Sequence, residues 1–134
     1  MAKLEKVEGI GETYANKLRG IGVASTGALL EEGSTPKGRG RIAEAAGISP
    51  KLVLEWVNHV DLFRIKGVGE EYADLLEESG VDTVPELAQR NSDNLYAKMV
   101  EVNKDKDLVR KLPSASQVAG WVAEAKTLPR VINY

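Results

Sequence analysis

The sequence predicts an all-α protein of about nine or ten short helices, built as two copies of one unit. Three observations predict it. Apolar side chains recur at helical spacing behind each of two glycine-rich turns: Tyr14, Leu18 and Ile21 in one place, Tyr72, Leu75 and Leu76 in the other. No segment shows the sustained alternation of β-branched residues that marks a strand. Finally, residues 7–30 (VEGIGETYANKLRGIGVASTGALL) match residues 65–88 (IKGVGEEYADLLEESGVDTVPELA) at a constant offset of 58, with nine of 24 positions identical. Chance gives on the order of one or two identities, so the chain carries a duplication.

The elements follow in order. Behind each turn a short helix is expected to end at Gly22 or Gly80, residues that tolerate a left-handed conformation after the last helical position. Ser25 or Thr26, and Thr83, are expected to cap the next short helices, 26–32 and 84–90. Thr35-Pro36 is a cap followed by a first-turn proline, which predicts a helix to about Ala46 with Gly47 as its stop. Ser49-Pro50 opens a helix with the stripe Leu52, Val53, Trp56, Val57 and Val60. Ser92-Asp93 opens another through Leu95, Met99 and Val102, interrupted by the polar run Asn103–Asp107. Leu112-Pro113 leads into a last helix bearing Val118, Trp121, Val122 and Ala125. The Trp helix of the first unit runs into the second turn without a Pro/Gly/Ser linker. The expectation is therefore one domain, 1–134, made of two repeats, 1–63 and 64–134.

Composition narrows the chemistry. The 134 residues are 43% hydrophobic and 28% charged, ordinary values for a globular chain. With 18 basic and 20 acidic side chains the net charge is −2, so bulk charge gives no reason to expect nucleic-acid binding. Only 5% of residues are aromatic, and platforms for base stacking are scarce. No cysteine is present, which removes disulfides, thiolate metal sites and cysteine nucleophiles, and the one histidine, His59, cannot build a histidine metal cluster. His59 is expected at a helix surface or boundary. No carboxylate pair has a catalytic spacing and no serine has an activating partner, so an enzyme is not expected. The opening residues carry no apolar run and no stretch reaches a membrane span. The expected location is the cytoplasm, with no membrane partner.

The turns carry the one functional signal. Gly9-Ile10-Gly11 and Gly67-Val68-Gly69 share the pattern Gly-apolar-Gly, with an apolar residue two positions before the first glycine and an alanine four after the second. This pattern resembles the helix-hairpin-helix motif, and the fold it implies is a compact tandem helix-hairpin-helix repeat. The resemblance implies that hairpin backbone N–H groups hold a nucleic-acid phosphate without reading sequence. A helix start with unpaired N–H groups and a partial positive charge suits that task. On this reading the candidate residues are Gly9, Ile10, Gly11 and Thr13 in the first turn, and Lys66, Gly67, Val68 and Gly69 in the second. The resemblance also implies that a monovalent cation can rest on hairpin carbonyls; no other cofactor is expected. The basic cluster Lys37, Arg39 and Arg41 is a further candidate. It stands where helix dipole and two glycines are both unfavourable, and it would touch phosphate or be a solvated loop.

The run TPKGRGRIAEAAGISPKLVLEWVNHVDLFRIKGVGEEYADLLEESGVDTVPELAQRN, with the later MVEVN and LVRKLPS, resembles a bacterial family of tandem helix-hairpin-helix proteins classed as a domain of unknown function, DUF4332. Residues 80–87 are also similar to the element after the hairpin in the C-terminal domain of the RNA polymerase α subunit. Against phosphate binding stand Glu12, Glu70 and Glu71, at the positions where DNA-binding members of the class usually carry small, polar or basic residues. Two readings follow: weak, sequence-nonspecific binding of DNA, or a protein-interaction scaffold whose hairpins are structural. The second predicts an exposed apolar patch.

Overall fold

The computed structural model describes residues 3–134, and among these every regular element is helical. After a 3₁₀ turn at Leu4–Lys6 come eight α-helices: α1 (Glu12–Gly20), α2 (Thr26–Glu32), α3 (Pro36–Ala46), α4 (Pro50–Leu62), α5 (Glu70–Glu78), α6 (Val84–Ala88), α7 (Ser92–Lys106) and α8 (Ala115–Ala125). The all-α expectation holds, with eight helices in place of nine or ten.

The expectation for α7 is corrected. The polar run at 103–107 does not interrupt it. The helix continues to Lys106 and stops at Asp107, whose φ of 49° is left-handed. Asn103 makes this stop by binding the departing chain from both sides: its Oδ1 accepts the Val109 N–H at 3.0 Å and its Nδ2 donates to the Val109 carbonyl at 3.3 Å.

Two compact units divide the chain: residues 1–61 with 131–134, and residues 62–130. In the first, α1 and α2 both pack on α3. Its interior includes Leu4, Val7, Ile10, Leu18, Leu29, Trp56 and Val57, all at most 4% exposed. In the second, α6 and α7 pack on α8 and α5 on α7, around Leu75, Leu76, Leu87, Leu95, Met99 and Trp121.

The duplication is repeated bond by bond. Gly22 and Gly80 take φ of 90° and 95°. Beside them Val23 N–H donates to Leu18 O and Val81 N–H to Leu76 O, both at 2.9 Å. This is the glycine stop that satisfies last-turn carbonyls. Caps differ more. Ser25, Thr35, Asn91 and Ser114 accept first-turn N–H groups through their side chains. Thr83 does not, and donates instead to Glu86 Oε1 at 3.3 Å.

Candidate functional site

Each glycine turn is built the same way. Ile10 N–H donates to Val7 O at 3.0 Å, and Val68 N–H to Ile65 O at 3.1 Å. Gly9 and Gly67 stand at φ of 90° and 89°, a conformation that costs an L side chain roughly 1–2 kcal/mol. Ile10 and Val68 are buried and pin the turns from below. From the other side a tryptophan lies against each. A Cβ built on Gly9 would stand 3.3 Å from Trp56 Nε1, and one on Gly67 3.6 Å from Trp121 Nε1. Tilted ring pairs complete both seats, with centroids 5.1 Å apart for Tyr14–Trp56 and 5.3 Å for Tyr72–Trp121.

The helices behind the turns, α1 and α5, start at Gly11 and Gly69 without a side-chain cap. At these helix starts Gly11, Thr13 and Gly69 are exposed. The surroundings of the second turn are acidic. Gly67, Gly69, Glu70, Glu71 and Tyr72 line one shallow open depression. The Lys66 N–H is taken by the Glu124 carboxylate, 3.2 Å from Oε1 and 3.3 Å from Oε2. Glu124 was not a sequence candidate, because a glutamate three residues past Trp121 gives no signal in the chain. Three residues past Trp56 stands His59, so the first unit has no carboxylate at this place.

The basic cluster does not form a shelf. Lys37 is exposed, and Arg41 pairs with Glu32 at 3.3 Å. Arg39 is 7% exposed. Its guanidinium donates to Gly33 O at 2.8 Å and to Asn133 O at 2.9 Å, so its chemistry is directed inward. Gly38 is explained by packing: a Cβ there would overlap the Glu32 carbonyl oxygen where α2 meets α3. The glycine and arginine that looked locally unfavourable are thus both used by the fold. The expectation for His59 is also corrected: it is 3% exposed, on the interior side of α4.

Elsewhere the surface is polar. The exposed large hydrophobic residue among those described is Tyr134, so the flat apolar patch expected of a scaffold is absent there. Among the described residues no group of three His, Cys, Asp or Glu side chains could hold a metal, and no helix is long and apolar enough to cross a membrane.

Fold and site together define a duplicated all-α protein, with one glycine turn seated on one tryptophan helix in each half. Residues 8–128 match the family described as a domain of unknown function, DUF4332, and the chain belongs to that family. None of the curated proteins and none of the solved structures matches it.

Proposed function

We propose that this chain is a non-catalytic, cytoplasmic interaction module in which two helix-hairpin-helix turns serve as architecture and the partner is a protein. The exposed apolar patch this reading predicts is not found among the described residues, so a partner would meet a polar surface; one observation carries the reading: the second turn is already supplied with anions. Glu124 takes the Lys66 N–H, and Glu70 and Glu71 flank the open start of α5. A phosphate arriving there meets three carboxylates. Glu70 and Glu71, in the first turn of α5, are stabilising there by about 0.3–1 kcal/mol each, which gives them a structural reason to be present.

A second reading, weak nonspecific nucleic-acid binding, retains support at the first turn alone. Gly11 and Thr13 are exposed, α1 has no side-chain cap, and nothing lies within 4 Å of where a Gly11 Cβ would stand. Exposed Lys37 stays available to it, as does a cation on the turn carbonyls; Arg41 would have to leave Glu32, and Arg39 is directed inward.

Titration of labelled duplex DNA at low salt separates the two. The module reading expects no binding at ~100 μM protein, the weak end of nonspecific affinities. It also expects Glu70→Gln/Glu71→Gln/Glu124→Gln to gain weak, salt-sensitive binding. Micromolar binding by the unaltered chain, falling steeply with salt, would refute it.

A further inference from the structure

The two units differ at the far end of the helix behind each turn, where Ile21 ends α1 and Ser79 ends α5. In the second unit that end is covered from within. Arg90, in the turn after α6, donates from Nη1 to Ser79 O at 3.3 Å, and the same nitrogen stands 3.4 Å from where a Gly80 Cβ would be. A guanidinium there meets the carbonyl end of a helix, where the partial charge is negative and a cation is favoured. In the first unit the corresponding place is open. At the offset of 58 the counterpart of Ser79 is Ile21, that of Gly80 is Gly22, and that of Arg90 is Glu32, whose carboxylate cannot donate. Nothing stands within 4 Å of where a Gly22 Cβ would be. A cleft of about 310 Å³ opens here, lined by Ile21, Gly22, Val23 and Ile42 together with Glu32 and Arg41. Its size is at the lower limit of small-ligand sites.

The lining selects the occupant. Val23 and Ile42 are buried and Ile21 is half-buried, which gives the cleft an apolar floor. An arginine side chain has an apolar stem and a planar charged head. The stem suits Ile21, Val23 and Ile42, and the head suits the negative end of α1 and the Glu32 carboxylate. Arg41 is a cation in the same lining, and it pairs with Glu32 Oε2 at 3.3 Å. The two side chains are 65% and 50% exposed, and ion pairs of that kind are worth little. A carboxylate also accepts more than one guanidinium donor on its two oxygens. Glu32 can therefore hold a guest head whether Arg41 stays or swings into solvent.

Resting on the interaction-module reading, we propose that this cleft is a docking site for one arginine side chain of a protein partner. The partner supplies to the first unit what Arg90 supplies to the second.

The test titrates Nα-acetyl-arginine amide, a stand-in for arginine within a chain, into isotope-labelled full-length protein and follows the amide resonances by NMR. The Gly22 and Val23 amides are expected to shift, with a dissociation constant on the order of 1 mM for a ligand of this size. The Gly80 and Val81 amides are expected to stay in place, because Arg90 already occupies their site. Nα-acetyl-citrulline amide, of similar shape without the charge, is expected to bind at least ~5-fold more weakly. Glu32→Gln should lose at least ~5-fold in affinity, and Glu32→Arg, which supplies the guanidinium from within, should abolish binding. Arg41→Ala should not weaken it. No shift at Gly22 up to ~20 mM ligand, equal shifts at Gly22 and Gly80, or citrulline binding as well as arginine overturns the proposal. Undiminished binding in either Glu32 variant, or lost affinity in Arg41→Ala, overturns it too. So does tighter binding of free arginine than of the capped form, because the cleft then takes a small molecule in place of a protein side chain. Should a Glu32 variant unfold, the unaltered chain decides, through Gly22 against Gly80 and arginine against citrulline. A failed titration removes the cleft alone, whereas DNA binding by the unaltered chain removes the reading beneath it.

Discussion

Replacing Gly38 by alanine should destabilise the first unit, although helix propensity alone says the opposite. Both Gly38 and Gly40 lie within α3, where alanine is favoured over glycine by about 0.5–1 kcal/mol. At Gly40 nothing stands within 4 Å of the new Cβ, so that gain is realised in full. At Gly38 the Cβ overlaps the Glu32 carbonyl oxygen and stands 3.2 Å from Thr35 Oγ1. Backbone cannot rotate away, so α3 must lift from α2. Overpacking of this kind costs roughly 1–3 kcal/mol, and displacing the Gly38 N–H from Thr35 weakens a cap worth about 1 kcal/mol. Less the propensity gain, the expected net loss is ~2 kcal/mol. Urea unfolding measures it, and Trp121→Phe leaves Trp56 as the fluorescent reporter of the first unit. With a slope of about 2 kcal/mol per molar, Gly38→Ala should lower the midpoint by ~1 M, and Gly40→Ala should raise it by ~0.3–0.5 M. A rise for both would refute the reasoning, because the two substitutions would then differ in nothing but position along one helix.

Other perturbations have defined outcomes. In the second turn, Gly67→Ala should cost roughly 1–2 kcal/mol because its φ is 89°, while Gly69→Ala, at φ −99° and facing open space, should stay within ~0.5 kcal/mol; the Trp121 unfolding transition reads both. Ser114→Ala breaks the reciprocal cap with Gln117 at the start of α8 and should cost about 1 kcal/mol in the same transition. Burial, then the charges of Glu86 and Glu77, hold the Asp82 carboxyl above its ordinary value. The folded state then binds this proton more tightly than the unfolded state, so stability falls as pH rises through the window above the ordinary value and stays lower beyond it. Asp82→Asn should therefore stabilise the protein by ~0.5 kcal/mol at pH 7, with the gain shrinking as pH approaches 4; equal gains at both values would rule this cause out.

What could be read from the chain was whatever local backbone chemistry dictates. Thr35-Pro36 and Gly47 bound α3 as expected, because a cap, a first-turn proline and a left-handed stop act over three or four residues. The duplicated turns were legible for the same reason; Trp56 and Trp121 stood in matching helical stripes, but that each lies against its own turn came only with the fold. What was not legible depended on contacts between separate elements, near or far in sequence. Arg39 read as a surface cation because one of its acceptors, Asn133 O, lies 94 positions away and the other, Gly33 O, is a main-chain group that carries no mark in the sequence. Gly38 read as a weak point because the Glu32 carbonyl it accommodates belongs to another helix. Helix α7 was cut short on polarity alone, although Asn103, Lys104, Asp105 and Lys106 are compatible with a solvated helix end whose exit Asn103 itself fixes.

The two halves differ in a way that bears on function. Among the nine positions they share, Ala15, Leu18, Val23 and Leu29 and their counterparts are buried, Tyr14 and Tyr72 stack on tryptophan, and Gly9, Gly22, Gly67 and Gly80 take positive φ. All of these serve the fold. The shared side chain at the mouth of both turns is a carboxylate, Glu12 or Glu70, in the first turn of its helix. Around that mouth the halves diverge: Glu8 faces Lys66 in the alignment, Thr13 faces Glu71, and His59 stands where the other half has Glu124. A pair of turns kept for phosphate would share cations there. A pair kept for architecture need share only the backbone and its packing, and the outward residues are free to follow separate partners. On the interaction-module reading proposed above, the second case applies, and the first turn, which lacks a counterpart to Glu124, is where a test for residual phosphate binding belongs.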